Sequence, residues 1–124
     1  MTDPDLDLVL ACYAAFARGD IEAAVAPLHP DVVWIEPDTF PRGGRYDGPA
    51  AVAAYLRASR ESWTDLVSEP TGHRRGDRIV VVHHVRGRTH DGRWHENTVA
   101  DVFTVVDGQV VHMQAYADPD DAFA

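Results

Sequence analysis

IVVVHHVRGRTHDGRWHENTVADVFTVVDGQVVHMQAY, residues 79–116, is strand-like throughout and is broken twice by an Asp-Gly pair, Asp91-Gly92 and Asp107-Gly108. Asp-Gly between alternating segments signals a hairpin, because a two-residue turn needs positive φ at both central positions. If Asp91 and Gly92 form such a turn, His90 pairs with Arg93 and Val82 lies opposite Asp101. Side chains repeat with period two, so Val82, His84, Arg86 and Arg88 then share a face with His95, Asn97, Val99, Asp101 and Phe103. Polar groups beside valines and a phenylalanine describe a lined cavity more than a plain core. A three-residue loop with a bulge would instead bring His83 and Val85 to the face of Asp101, and turn chemistry leaves both registers open.

The rest of the chain supplies helices to cover that face. Asp3 followed by Pro4 is an N-cap and first-turn pair, after which Leu6, Val9, Leu10, Tyr13, Phe16 and Ala17 recur at helical spacing until Gly19. Asp20 caps a short second helix over Ile21 to Ala26, closed by Pro27 and Pro30. Val32 to Ile35 reads as a brief strand, and Pro37 to Gly48, with its prolines and glycines, as a loop. Pro49 opens a third helix with Val52, Tyr55, Leu56, Ser59 and Trp63 on one face. Leu66 to Arg75 is a weaker strand that Pro70 demotes to an edge or a bulge. Three helices followed by a mostly antiparallel sheet predict an α+β fold, with the helices closing one face of a curved sheet.

The 124 residues suit one domain spanning 1–124, without repeats or linkers. Acidic residues outnumber basic ones 20 to 11, and the net charge of −9 argues against nucleic acid or an anionic membrane as partner. Cys12 is the only cysteine, so no disulfide can form within the chain and a reducing, cytoplasmic setting is expected. The opening Met1 to Asp7 has neither a basic segment nor an apolar run of the kind a secretory leader needs. No stretch has the apolar length of a membrane span.

The order of elements, with the phrases Gly19-Asp20-Ile21-Glu22-Ala23, Asp31-Val32-Val33-Trp34-Ile35-Glu36-Pro37 and Met113-Gln114-Ala115-Tyr116, resembles the nuclear transport factor 2-like superfamily. Within it the chain is similar to the ketosteroid isomerases and the SnoaL-like polyketide cyclases. The resemblance covers nearly the whole chain and implies a cone-shaped pocket on a scaffold that hosts isomerases, cyclases, epoxide hydrolases, dehydratases and non-enzymes. It sets Glu36 where the isomerases carry a proton-shuttling aspartate and Asp101 where they carry an oxyanion-binding one. Their tyrosine donor on the first helix corresponds to Cys12, with Tyr13 about 100° around the helix. Pocket positions that are apolar in steroid-handling relatives are here His84, Arg86 and Asn97, which implies a compact polar or oxygenated substrate.

Chemistry assigns the same residues their roles. A carboxyl among apolar groups resists ionisation, so Glu36, after Trp34 and Ile35 at a strand end, is the candidate base. Asp101, if buried deeply enough to stay protonated, is the candidate donor to the substrate oxygen; a nearby Arg86 guanidinium would instead keep it ionised, and Arg86 itself or His84 would then be the electrophile. Tyr13, Trp34, Trp63, Val82, Asn97, Val99, Phe103, Met113 and Ala115 complete the expected substrate-binding set. The activity implied is acid/base proton transfer next to a carbonyl, as in an isomerase, cyclase or dehydratase, without metal or organic cofactor. Epoxide opening with Asp101 as base, and ligand binding without catalysis, are the alternatives. On the outer sheet face Val81, Val85, Trp94, Ala100, Val102 and Tyr116 would leave an apolar patch, from which homodimerisation is expected.

Overall fold

The computed structural model describes residues 3–124; Met1 and Thr2, the first residues of the stretch examined for a leader, lie outside the described residues. Helix α1 spans Pro4–Ala17, with the Asp3 carboxylate accepting from the Leu6 amide at 3.2 Å, and Gly19 ends it at φ +79. Asp20 caps α2, Ile21–Val25, through the Ala23 amide. Strand β1 runs Leu28–Glu36, longer than the sequence suggested, and the loop expected after it contains a short strand β2, Gly44–Asp47. Helix α3 is Pro49–Glu61, so Trp63 opens the next strand and does not close the helix. Four long or medium strands follow: β3 Trp63–Arg75, β4 Arg78–Thr89, β5 Trp94–Val106 and β6 Gln109–Tyr116. A last short helix, α4 Pro119–Phe123, was not anticipated.

The sheet order is β2-β1-β6-β5-β4-β3, antiparallel throughout except where β1 lies parallel to β6. Pro70 does sit on an edge strand, where its missing N–H costs no ladder bond on the open side. Helices α1, α2 and α3 cover one face of this curved, unclosed sheet. There Val9 and Tyr13 of α1 and Val52 of α3 meet Ile79, Val81, Phe103, Met113 and Val32 in a buried core. A second, smaller cluster occupies the opposite face, where Tyr116, Ala122 and Phe123 pack on Val80, Ala100 and Val102.

The two Asp-Gly turns differ, and the difference sets which residues face the helices. Asp107 has φ +51 and Gly108 φ +75 between the paired Val106 and Gln109, a two-residue turn of the expected kind. At the other turn Arg88 pairs with Trp94, and the Thr89 amide donates to the Arg93 carbonyl at 2.9 Å around the three-residue loop His90-Asp91-Gly92. Only Gly92 has positive φ there, +84. The Asp91 carboxylate instead accepts from the Thr89 hydroxyl and the Arg93 amide, a local cap that competes with the left-handed conformation a two-residue turn demands.

The bulged register therefore holds, with Val81 opposite Asp101, His83 opposite Val99 and Val85 opposite Asn97. His83 and Val85 face the helices, whereas Val82, His84, Arg86 and Arg88 face away. This corrects the expectation that His84, Arg86 and Val82 share the face of Asp101. It also removes Val81, fully buried, and Val85 from the outer patch. Val80, Ala100 and Val102 do project outward, but α4 covers them; Trp94, 52% exposed, and Val67, opposite Arg86, remain open on that side.

Candidate functional site

Between α1, α3 and the inner sheet face lies a cavity of about 620 Å³ lined mainly by apolar and aromatic side chains. Strand alternation on β1 turns Val32, Trp34 and Glu36 inward together, so Glu36 ends the strand as a carboxyl only 8% exposed. Tyr55, one helical turn beyond the buried Val52 on α3, donates its hydroxyl to Glu36 Oε1 at 2.7 Å. Burial pushes the Glu36 carboxyl up to about 7, and the negative charge of Asp101 adds to the rise; Tyr55 and Trp34 oppose it by favouring the anion. Trp34 Nε1 is close enough to matter electrostatically, yet it is buried with no hydrogen-bond partner among the described residues.

Asp101, inward on β5, accepts a hydrogen bond from the Tyr13 hydroxyl of α1. Desolvation raises its carboxyl to about 6, and the bond from Tyr13 lowers it less than burial raises it. The Tyr13 phenol is itself held well above its usual value by burial and then by Asp101, which keeps it a proton donor. Its ring meets Phe103 edge-on at 6.0 Å and His83 at 4.8 Å between centroids. His83 Nε2 lies 2.7 Å from the Ser68 hydroxyl, and burial pushes its imidazole down to about 4, so it is neutral near pH 7.

Of the residues expected at the site, Glu36, Asp101, Asn97, Tyr13, Trp34, Trp63, Val99 and Phe103 line this cavity. Met113 and Ala115 are buried in the core instead. His84 and Arg86 are on the far side of the sheet. There His84 contacts Thr98 at 2.8 Å and Glu96 at 3.1 Å, and Arg86 lies over the Trp94 ring. Val82, opposite Ala100, is outward as well. Cys12 lines the cavity with its thiol pushed up to about 11 by burial, and it donates to the Leu8 carbonyl.

Two members escaped the sequence. His83 reaches this face only in the three-residue-loop register, the alternative to the one on which the site residues were chosen. Tyr55 was placed on the inward stripe of α3, but nothing in that spacing pointed to Glu36, which reaches it only through the tertiary fold. Trp63 owes its place to Gly87, where an added Cβ would come within 2.4 Å of the Trp63 ring. The indole thus lies flat against the β4 backbone and forms one wall of the cavity, edge-on to His95.

The arrangement offers two coupled carboxyls, each with a phenol donor, in a largely apolar enclosure. Such a site can hold one proton between the carboxyls near neutrality and can place a donor against an oxygen atom.

Comparison with known proteins agrees with this architecture. An uncharacterized protein of Mycobacterium tuberculosis is 29% identical over 121 residues, covering 94% of this chain and 92% of its own. TerC, crystallised with polyporic acid, is 27% identical, with a TM-score of 0.81 over 98% of this chain and 95% of its own. A structure from Xanthomonas campestris pv. campestris described as a candidate polyketide cyclase is 28% identical, with a TM-score of 0.76 over 96% and 93%. The SnoaL-like domain family matches residues 9–113, and the chain belongs to that family, within the nuclear transport factor 2-like superfamily.

Proposed function

We propose that the cavity binds a compact organic carbonyl compound and moves a proton at the carbon beside the carbonyl, giving isomerisation, cyclisation or dehydration. Glu36, as carboxylate, takes the proton, and the electron pair left on carbon passes to the carbonyl oxygen as an enolate. In this step the one proton of the carboxyl pair sits on Asp101, so that Glu36 is the carboxylate while the protonated Asp101 and the Tyr13 hydroxyl donate to that oxygen. Collapse of the enolate returns the proton at another carbon, closes a ring onto an internal electrophile, or expels a neighbouring hydroxyl as water. Phe103, Trp34 and Trp63 hold the substrate and keep bulk water away. A cytoplasmic setting belongs to the same proposal, on the single free thiol of Cys12.

The observation that carries this reading is the buried Glu36 carboxyl, poised at about 7 with its oxygen held by Tyr55. A base whose pKa matches the working pH is ionised often enough to act and basic enough to take a proton from carbon. Epoxide opening loses support, because Arg86 and His84, its candidate electrophiles, face the other way. Binding without catalysis is the second reading, favoured by the neighbour TerC having been crystallised with polyporic acid.

The test needs no known substrate. A panel of cyclic and β-hydroxy ketones is incubated with the protein in D2O, and exchange beside the carbonyl is followed by NMR. Native protein should accelerate exchange for at least one member, and Glu36→Gln should abolish that acceleration while leaving the fold intact. Saturable binding of polyporic acid or of the ketones, followed by tryptophan fluorescence, with no exchange in any member, would establish the second reading instead.

A further inference from the structure

The cavity is rich in acid and poor in fixed positive charge. The Glu36 and Asp101 carboxyls line it, His83 is neutral near pH 7, and Arg42 is the one arginine among the described lining residues. The chain has no lysine. Arg42 belongs to the segment Phe40-Pro41-Arg42, which leaves β1 directly after Glu36 and returns along the cavity before β2 begins.

That segment is braced. The Phe40 amide donates to the Pro37 carbonyl at 3.0 Å and the Gly43 amide to the Phe40 carbonyl at 2.9 Å. The Tyr46 hydroxyl donates to the Arg42 carbonyl at 2.7 Å. Gly43 passes so close to Pro37 that an added Cβ would lie 2.0 Å from its carbonyl oxygen, so the segment closes on itself only with glycine there. The Arg42 carbonyl is thus held by Tyr46, and its neighbours Phe40 and Gly43 are held by the turn.

Its guanidinium, by contrast, makes no ion pair or hydrogen bond among the described residues, although acids outnumber bases in this chain. The next arginine, Arg45, pairs with Asp47 at 2.9 Å, and Arg74 binds both Asp3 and Asp5. An unpaired guanidinium on a braced segment, at the edge of a cavity with two buried carboxyls and no other arginine or lysine among its described lining residues, is suited to bind an anionic group brought by a ligand.

We propose that Arg42 is the anion-recognition residue of this cavity, and that its substrates are carbonyl compounds bearing a carboxylate or an equally acidic enol. This rests on the proposed proton-transfer site and names its substrate class. The acid group pairs with Arg42 at the cavity edge, and the planar apolar body lies among Phe40, Trp63 and Phe103. The carbonyl then points towards Tyr13 and Asp101. Without Arg42, a negative charge entering beside Glu36 and Asp101 would be repelled; with it, the anion is bound away from the carboxyls that do the chemistry.

The experiment compares 2-naphthoate with methyl 2-naphthoate, which share a ring system and differ in charge, by tryptophan fluorescence titration at low and high salt. Native protein should bind the carboxylate more tightly than the ester, and added salt should erode the difference. Arg42→Gln should weaken carboxylate binding by about tenfold or more, leave ester binding unchanged and remove the salt dependence, while Arg42→Lys should retain part of the preference. Equal affinity of native protein for the two probes, failure to bind the carboxylate at all, or an Arg42→Gln loss shared by both probes would overturn the proposal. Binding selectivity and Glu36-dependent deuterium exchange are read separately. Exchange without anion preference would remove the substrate class alone, and anion preference without exchange would remove the proton-transfer reading alone.

Discussion

Glu36 is held at about 7 against an ordinary 4.5, and Asp101 at about 6 against 3.8, both chiefly by desolvation. Raised carboxyls bind protons more tightly folded than unfolded. Their contribution to stability is therefore complete below the unfolded values and is lost as pH rises through the folded ones. The window for Glu36 runs from about 4.5 to about 7 and corresponds to a loss on the order of 3 kcal/mol. His83 works the other way: its imidazole is lowered from 6.5 to about 4, so its stabilisation is present above 6.5 and is lost on acidification towards 4. Thermal melts of Glu36→Gln against native protein isolate the first effect. The melting temperature of the variant should rise relative to native between pH 4.5 and 7 and run parallel above it. Turnover should follow the pair as well: kcat/KM should be bell-shaped, with limbs close to 6 and 7 that belong to the two carboxyls jointly. Tyr55→Phe removes a bond that favours the Glu36 anion, so the limb that reports Glu36 should move to higher pH with the fold retained. Glu36 and Asp101 were legible as candidate groups because each sits in a short phrase whose strand context is clear. Tyr55 was not legible in that role, because a contact between a helix and a strand end leaves no mark in local spacing.

On the scale of elements, the helices and their limits followed from caps and glycines, whereas the face of β4 did not. Asp-Gly allows a two-residue and a three-residue connection, and the choice was made by the Asp91 side chain binding the Thr89 hydroxyl and the Arg93 amide. The valines of β4 gave weak guidance, since Val80 and Val82 lie on one side and Val81 and Val85 on the other. Strand β2 and helix α4 were missed for a related reason: each is too short for periodicity to register. The turn carries its own prediction. Gly92→Ala puts a Cβ on a residue at φ +84 and should cost about 1 kcal/mol in chemical denaturation. Asp107→Gly, at a position already left-handed, should be neutral or stabilising by a few tenths. At Gly87 an alanine would meet Trp63 and should cost about 1 to 3 kcal/mol while narrowing the cavity. A loss of stability without any change in ligand size preference would separate a structural role for that indole from a lining one.

For the whole molecule, the outer face of the sheet presents less apolar surface than alternation suggested, since α4 occupies its middle and Arg86 and Arg88 cover the ring of Trp94 in part. No helix among the described residues is long and apolar enough to cross a membrane. A homodimer through this face is still our proposal, now chiefly on Trp94 with Val67 beside it; light scattering should give about twice the chain mass of 13.7 kDa, and Trp94→Ser should halve it. A native chain that scatters as 13.7 kDa, with Trp94 open to a soluble quencher, would leave the face to solvent.

Strand β1 lies parallel to β6, so the first strand of the chain is paired with the last. Parallel neighbours cannot be joined by a tight turn, and here β2, α3, β3, β4 and β5 are threaded between them. Glu36 and Asp101 consequently meet only when β6 has docked between their strands, after a long loop has closed. A nascent chain still short of Gln109 would carry both carboxyls in water, titrating like any others. The unusual proton affinity of Glu36 is thus a timestamp: followed by carboxyl NMR during refolding, it would mark the moment at which β1 and β6 find each other.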